Sequence, residues 1–333
     1  MIETNSTIKK IFVCEFITAG GFNHINLPKC LLNEATMMRD ALLYDLVELD
    51  YHVTITLDSR LNQPKTCNHC VLIEPQDDVW TIWEEQIQQS DAAWIIAPEN
   101  NAYLKKLTQL VVKHNVFALG CGSLSIDVFS SKLATFLICD HAGIHAIPTY
   151  PFKKLPVINN KCLVKPDDGA GCDDIFCFKN STELSNYLLQ NKKQDTHVIQ
   201  PYIDGISASI SCVMHAGTAF VLSCNQQLVT CIENKLGFNG LVLNAMQTYW
   251  AHFNNLAQQV ARLLPDLQGY VGIDVIVTNN DFFLVEVNPR LTTAFVGLRQ
   301  ATGINVAKLV INTLTKAPCK WPDIERNVVD IHV

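Results

Sequence analysis

No stretch of this chain is long and apolar enough to span a bilayer. The most hydrophobic run near its beginning, residues 11–17, covers about two helical turns and contains Glu15. It is also too short and too polar for a secretory segment. Dense basic blocks are missing, and 25 Lys+Arg against 32 Asp+Glu give a formal charge of −7. That balance argues against nucleic acid or an anionic membrane as the main partner. Small molecules are the expected partners and the cytoplasm the expected location; a homodimer is compatible with both. Repeats and low-complexity tracts are absent. So is a G-x-G-x-x-G turn: the first apolar strand runs into ITAGGFN, which excludes the dehydrogenase that an α/β start would otherwise suggest.

What remains is an ordinary globular composition, 48% hydrophobic and 17% charged over 333 residues, enough for two or three compact domains. The 13 cysteines are scattered, odd in number and mostly set in apolar strings such as FLICD and SISCV, so buried reduced thiols are expected. Only Cys67, His69 and Cys70 in TCNHC cluster tightly. They could offer zinc two sulfurs and an imidazole, but no second ligand pair follows at metal-site spacing, and a loop with incidental cysteines is the expectation.

Residues 1–126 alternate short apolar runs with amphipathic ones, the pattern of parallel strands joined by helices. Strands are predicted over 10–17, 52–57, 92–97 and 116–119, and helices over 33–49 and 100–114, with Asn33 and Asn100 as caps. Such an open α/β sheet binds ligands beyond the carboxyl ends of its strands. Glu15 and Thr18, delivered into the turn at Gly20–Gly21, are therefore candidate substrate contacts. A helix over 130–141 leads to a small α+β unit, with strands over 161–166, 175–178 and 198–200 around a helix over 182–190. Residues 127–203 thus have the size of a mobile lid. Residues 204–333 carry long strands over 206–214, 218–225, 270–278 and 282–288, a helix over 248–264, and helices after Thr292.

The segment GYVGIDVIVTNNDFFLVEVNPR carries the strongest chemical signal, because Asp274, Glu286 and Asn288 interrupt two strongly apolar strands. Residues two apart share a strand face, and pairing about residue 280 sets Asp274 opposite Glu286. Carboxylates so opposed, about 5 Å apart at Cβ, repel unless a cation sits between them. Hard oxygen ligands suit Mg²⁺, with Mn²⁺ as a substitute. The alternative is an edge strand facing solvent, for which a cleaner alternation is expected.

Upstream, Lys165 ends an apolar strand and enters KPDDGAGCDD, where Gly169 and Gly171 let backbone N–H groups turn toward an anion. Then VIQPYIDG ends a strand in Gln200, Tyr202, Ile203 and Asp204, a segment able to offer hydrogen bonds to adenine and a side-chain oxygen to ribose. Each string alone also reads as an ordinary strand and turn. Their order decides: Lys132 on a helix, Lys165 before a glycine loop, QPYIDG, then the acidic hairpin.

That succession resembles the ATP-grasp superfamily from about residue 130 onward, and the preceding α/β region fits its usual companion domain. The resemblance implies an ATP-grasp fold and ATP with Mg²⁺. Lys132 and Lys165 would meet phosphates, Gly169–Gly171 would form the phosphate loop, and Gln200, Tyr202 and Ile203 the adenine hinge. Asp274, Glu286 and Asn288 would hold the metal. Two departures stand out. Ser207 occupies the place of a common ribose-binding glutamate, leaving Asp204 as its substitute. Gly272 stands where D-alanine ligases carry an arginine, so Arg290 in EVNPR becomes the expected cation for the transferring phosphoryl group. A narrower resemblance, to the tyramine–glutamate ligases of methanofuran biosynthesis and their bacterial relatives, rests on FVCEFITAGG, SCNQQL and EVNPRLTTAFVGL. Asn225, Gln227 and Thr292 join the expected substrate contacts. Arg290 and Thr293, only a few residues past the metal ligands, are expected to line with Glu15 and Thr18 an acceptor pocket between the N-terminal domain and the C-terminal sheet.

The activity so implied is amide formation between an amino-acid carboxylate, glutamate favoured, and an amine, through an acyl phosphate. Lys165 and Arg290 would be catalytic, and lid closure would exclude water. A nucleotide-binding regulator that has lost turnover is the rival reading, opposed by the intact carboxylates and lysines. His24, His141 and His145 are read as structural or solvent-facing rather than as a general base.

Overall fold

The computed structural model describes residues 8–27, 29–152, 161–169, 175–190, 196–232, 235–279, 281–316 and 320–333. Its first unit is a five-stranded parallel sheet of order β3-β2-β1-β4-β5, made of β1 (Lys10–Glu15), β2 (His52–Asp58), β3 (His69–Ile73), β4 (Ala92–Ile96) and β5 (Phe117–Ala118). Helices α1 (Lys29–Val47), α2 (Val79–Gln88) and α3 (Tyr103–Lys113) make the crossovers. β1 is buried at every position from Ile11 to Glu15, as a strand covered on both faces must be. Helix α2 buries Val79, Trp83 and Ile87, four residues apart and so on one face. The Trp83 indole donates to Thr56 Oγ1 at 3.0 Å and to the Ala19 carbonyl at 3.2 Å, so its one polar atom is satisfied in the core.

Helices α4 (Ser123–Phe129) and α5 (Lys132–His141) lead to a small antiparallel sheet of order β8-β7-β9-β6. Its strands are β6 (Tyr150–Pro151), β7 (Cys162–Pro166), β8 (Phe176–Phe178) and β9 (His197–Pro201), with helix α6 (Ser181–Gln190) following β8. A single register pair, Lys235 with Phe176, continues it into the larger antiparallel sheet. That sheet consists of β10 (Ile206–His215), β11 (Thr218–Ile232), β12 (Lys235–Leu243), β13 (Gly269–Val277), β14 (Phe282–Asn288) and β15 (Val329–His332). Helix α7 (Trp250–Ala261) covers one face through Phe253, Leu256, Ala257 and Val260. Helices α8 (Phe295–Thr302) and α9 (Val306–Thr315) pack between the large sheet and α1.

Several expectations need correcting. Residues 69–73 form an edge strand rather than a loop, and α2, α4, β12 and β15 were not foreseen. Helix α1 begins at Lys29, ahead of Asn33, so Asn33 lies inside it. Asn100 does not cap α3, which starts at Tyr103 after a turn with Asn101 and Ala102 at φ 53° and 57°. β12 escaped notice because KLGFNGLVL contains two glycines, which weaken a strand pattern. The structure gives Gly240 its reason: at φ 128° its Cα faces the Ile331 carbonyl of β15, leaving no room for a Cβ. No helix among the described residues is long and apolar enough to cross a membrane.

Candidate active site

The acidic hairpin has the expected pairing, reached by an unexpected route. From the turn outward Val277 pairs with Phe282, Ile276 with Phe283 and Val275 with Leu284, a register that would set Asp274 against Val285. A bulge at Val285 absorbs one residue, and Asp274 instead faces Glu286, with Gly272 facing Asn288. Asn280, the foreseen centre of the turn, lies outside the described residues; Thr278 and Asp281 close the turn through backbone and hydroxyl bonds of 2.9 Å.

Across β10 the same sheet face is polar: Ser209 pairs with both Asp274 and Asn225, and Gln227 lies two residues further along β11. Gln227 Nε2 donates to Asp274 Oδ1 at 3.0 Å and Asn288 Nδ2 donates to Oδ2 at 3.4 Å. Burial and the facing Glu286 push the Asp274 carboxyl well above its ordinary range. Burial acts upward on Glu286 too, but Lys132 and Lys165 outweigh it and hold this carboxyl below its usual value. The two facing carboxyls are thus driven in opposite directions, Asp274 up and Glu286 down. Two carboxylates and an amide oxygen on one face fit Mg²⁺, whose other ligands are ordinarily water and phosphate oxygens.

Lys132 reaches this face from the start of α5. Ser131 caps the helix, accepting from Ala134 N at 3.0 Å, and Asp167 takes the Leu133 amide at 2.9 Å and the Ser131 hydroxyl at 2.7 Å. Asp167 thus occupies the helix end and fixes the root of the glycine loop against it. The Lys132 ammonium is buried, 2.6 Å from the Gly169 carbonyl and 3.5 Å from Glu286 Oε2. Lys165, on β7 opposite Val198, is also buried and acts on the same carboxylate. Gly171 lies outside the described residues.

At the far side of β7, Gln200 is buried, its Nε2 donating to Thr149 Oγ1 at 2.7 Å. Its Oε1 has no partner among the described residues. A buried acceptor without a donor is costly, and the exocyclic amine of an adenine would satisfy it. Tyr202 carries the Lys161 ammonium 3.4 Å from its ring centre, and its amide is taken by the Lys161 carbonyl at 2.9 Å. Ile203 and Ser207 are half-buried, and Asp204 is exposed.

Arg290, two residues after Asn288, is held side-on by Glu99, Nε to Oε1 at 2.8 Å and Nη2 to Oε2 at 2.9 Å. Burial opposes its charge, but Glu99 first, then Glu286 and Asp274, raise its pKa above the ordinary value. Glu99 escaped sequence reasoning; its signal was its place just past the carboxyl end of β4, where open α/β sheets bind ligands. Gly272 also finds an explanation, since a Cβ there would come 2.6 Å from the Thr292 methyl. An arginine has no room at that position, and Arg290 enters from the other side of the hairpin.

Other foreseen substrate contacts are taken up by bonds or packing within the protein. Glu15 is 3% exposed and accepts from Thr18 N at 2.8 Å, Thr18 Oγ1 at 2.7 Å and Ile17 N at 3.4 Å. Both its oxygens and Thr18 are spent on shaping their own turn, a local arrangement that competes with ligand contact. Gly20 and Gly21 lie against Ile73 and Phe16. Asn225, on the same face as Asp274, is fully buried and bonded to Ser209, Ser211 and the Asn244 amide. Thr292 is bonded to the Tyr270 hydroxyl and Thr293 to Glu34 Oε2 at 2.6 Å. Among the described residues no three His, Cys, Asp or Glu side chains gather for a metal, Cys67, His69 and Cys70 included. Burial pushes the Cys121, Cys139 and Cys224 thiols up to about 12, which makes them inert.

Comparison with known proteins agrees with this geometry. The ATP-grasp domain profile matches residues 129–294 and the pre-ATP-grasp domain profile residues 51–126. The chain is 27% identical to the tyramine–L-glutamate ligase of Methanocaldococcus jannaschii, over 96% of this chain and 94% of that one. Among solved structures it superposes on an ATP-grasp superfamily protein from Archaeoglobus fulgidus with a TM-score of 0.72 at 23% identity, covering 97% and 99% of the two chains. It also superposes on the L-amino acid ligase of Bacillus licheniformis with a TM-score of 0.68 at 16% identity, covering 94% and 75%. The facing carboxylates, the two buried lysines and these matches together place the chain in the ATP-grasp superfamily, as an ATP-dependent carboxylate–amine ligase.

Proposed function

We propose that the chain joins an amino-acid carboxylate, glutamate by preference, to an aromatic amine such as tyramine or tyrosine in cofactor biosynthesis. The observation that carries this reading is similarity to a tyramine–L-glutamate ligase along almost the whole of both chains. A carboxylate oxygen attacks the γ-phosphorus of ATP, the bond to the β-phosphate oxygen breaks, and ADP leaves. The amine nitrogen then attacks the acyl carbon of the mixed anhydride, phosphate departs, and the amine proton passes to it or to solvent. Phosphoryl transfer asks for positioning and charge neutralisation. Lys132 and Lys165 supply fixed positive charge at the phosphates, and Gln200 with the Tyr202–Ile203 backbone seats the adenine. Arg290 presents its guanidinium to the phosphoryl group and the carboxylate. Asp274, Glu286 and Asn288 would hold Mg²⁺, which would supply charge neutralisation at the phosphate oxygens. Excluding water protects the anhydride, a role this reading gives to the small sheet that carries Lys165 and Gln200.

The test is ADP release from MgATP across a grid of amino acids and amines. L-Glutamate with tyramine or tyrosine should give the strongest signal, and each alone only background. Equal ADP release with every pair, or a stronger signal from an aliphatic pair, would reject this substrate assignment.

A further inference from the structure

The turn between β4 and α3 concentrates features that a protein ordinarily avoids. Asn101 and Ala102 are consecutive non-glycine residues at φ 53° and 57°. Beside them, Asn100 Oδ1 is buried with no partner among the described residues. Left-handed conformations at such residues and orphaned buried acceptors persist where surrounding structure over-determines them, and they gather at functional sites. Here the surroundings are two catalytic elements. Glu99, 6% exposed, grips Arg290 through two hydrogen bonds. The Asn101 amide donates to Asp168 Oδ2 at 3.4 Å, in the glycine loop that follows Lys165.

A guanidinium has five N–H groups in one plane. Glu99 takes the side edge formed by Nε and Nη2, and the Leu291 carbonyl takes one N–H of Nη1 at 3.1 Å. What remains is one further N–H on Nη1 and one on Nη2, two donors left for oxygens of a phosphoryl or carboxylate group. A long side chain two residues beyond Asn288 would otherwise sample many rotamers. The Glu99 clamp fixes which donors are offered.

The geometry points to Glu99 as the positioning residue of Arg290, through which the N-terminal sheet orients the guanidinium toward the γ-phosphoryl group and the carboxylate it activates. This rests on the ligase reading for the role of Arg290, but nucleotide binding tests it without turnover. Glu99→Gln keeps the side-chain size and one acceptor while removing the charge and the second acceptor.

The experiment compares the affinity of the magnesium complexes of β,γ-imido-ATP and ADP for wild type, Glu99→Gln, Glu99→Asp, Arg290→Lys and the Glu99→Gln/Arg290→Lys double variant. Glu99→Gln should bind the imido analogue about tenfold more weakly with ADP affinity within twofold of wild type, because only the γ-phosphoryl group meets Arg290. Arg290→Lys should show the same selective loss, and the double variant no further loss. Glu99→Asp should recover part of it. Where turnover is measured, Glu99→Gln should raise KM for ATP in step with its weaker binding of the imido analogue and lower kcat/KM by at least the same factor. Equal weakening of both nucleotides, additive losses in the double variant, or an unchanged imido/ADP ratio would each overturn the assignment. Retained ADP binding certifies the fold, and if Glu99→Gln fails that check, Glu99→Asp carries the same comparison. Wild type that discriminates the two nucleotides yet releases no ADP with any pair would reject the ligase reading alone.

Discussion

Replacing Asp274 by Asn should make the nucleotide-free protein more stable and nearly inactive. Two carboxylates about 5 Å apart at an effective dielectric of about 20 repel by roughly 3 kcal/mol. The facing pair Asp274 and Glu286 pays part of that cost, relieved by Lys132 at 3.5 Å from Glu286 and by the raised Asp274 pKa. A net gain of about 1–2 kcal/mol follows for Asp274→Asn, since the Gln227 and Asn288 amides can turn to match the new side chain. For a chain of 333 residues that is a rise in Tm of roughly 1–3 °C, since the unfolding entropy scales with length. The gain should depend on pH. Wild-type Asp274 holds its proton in the folded state above the pH at which the unfolded chain releases it, so wild type loses stability as pH rises through that window. The variant escapes the loss, and its advantage should vanish in acid, where the pair carries a proton. Thermal unfolding without nucleotide at several pH values measures this, and ADP release should fall by about 10²-fold or more. A variant that melts lower than wild type at neutral pH, or that keeps full magnesium-dependent stabilisation by ATP, would refute the metal-site reasoning.

Lys165→Ala should lower ATP-dependent turnover by about 10²-fold or more with the fold intact by circular dichroism, because a preorganised charge is lost at the phosphates; near-normal rates would remove the glycine loop from the site. Glu15→Gln should leave the KM of both substrates unchanged, its oxygens being spent on Thr18 and Ile17. Burial raises the Glu15 pKa above its ordinary 4.5, so wild type should lose stability as pH rises above that value, a dependence that Glu15→Gln should flatten in thermal melts. Gly240→Ala should cost about 1–3 kcal/mol in urea unfolding, through its close approach to Ile331 and its φ of 128°.

The facing carboxylates of the β13–β14 hairpin were legible because carboxylates in an apolar strand are expensive and so demand a reason. Its bulge was not, since Val285 is chemically an ordinary strand residue and only the cross-strand pairing reveals that it is skipped. Lys132 and Lys165 were legible as an order along the chain, whereas the use of Asp167 to cap α5 required the fold. Glu99 and Arg290 lie 191 residues apart, and no local pattern announces an ion pair at that separation. Conversely, Glu15 and Thr18 stood at the right end of the right strand but turned inward, because a carboxylate three residues before a threonine can satisfy itself within its own turn. Position in an α/β sheet indicates where a ligand lies and leaves open which side chains face it.

Isotope transfer tests the central claim most directly. With the carboxylate of the acid substrate labelled with ¹⁸O, MgATP and the amine, each amide formed should send one labelled oxygen into inorganic phosphate, alongside one ADP. Amide formation with unlabelled phosphate, or label recovered in AMP, would contradict activation of the carboxylate at the γ-phosphoryl group.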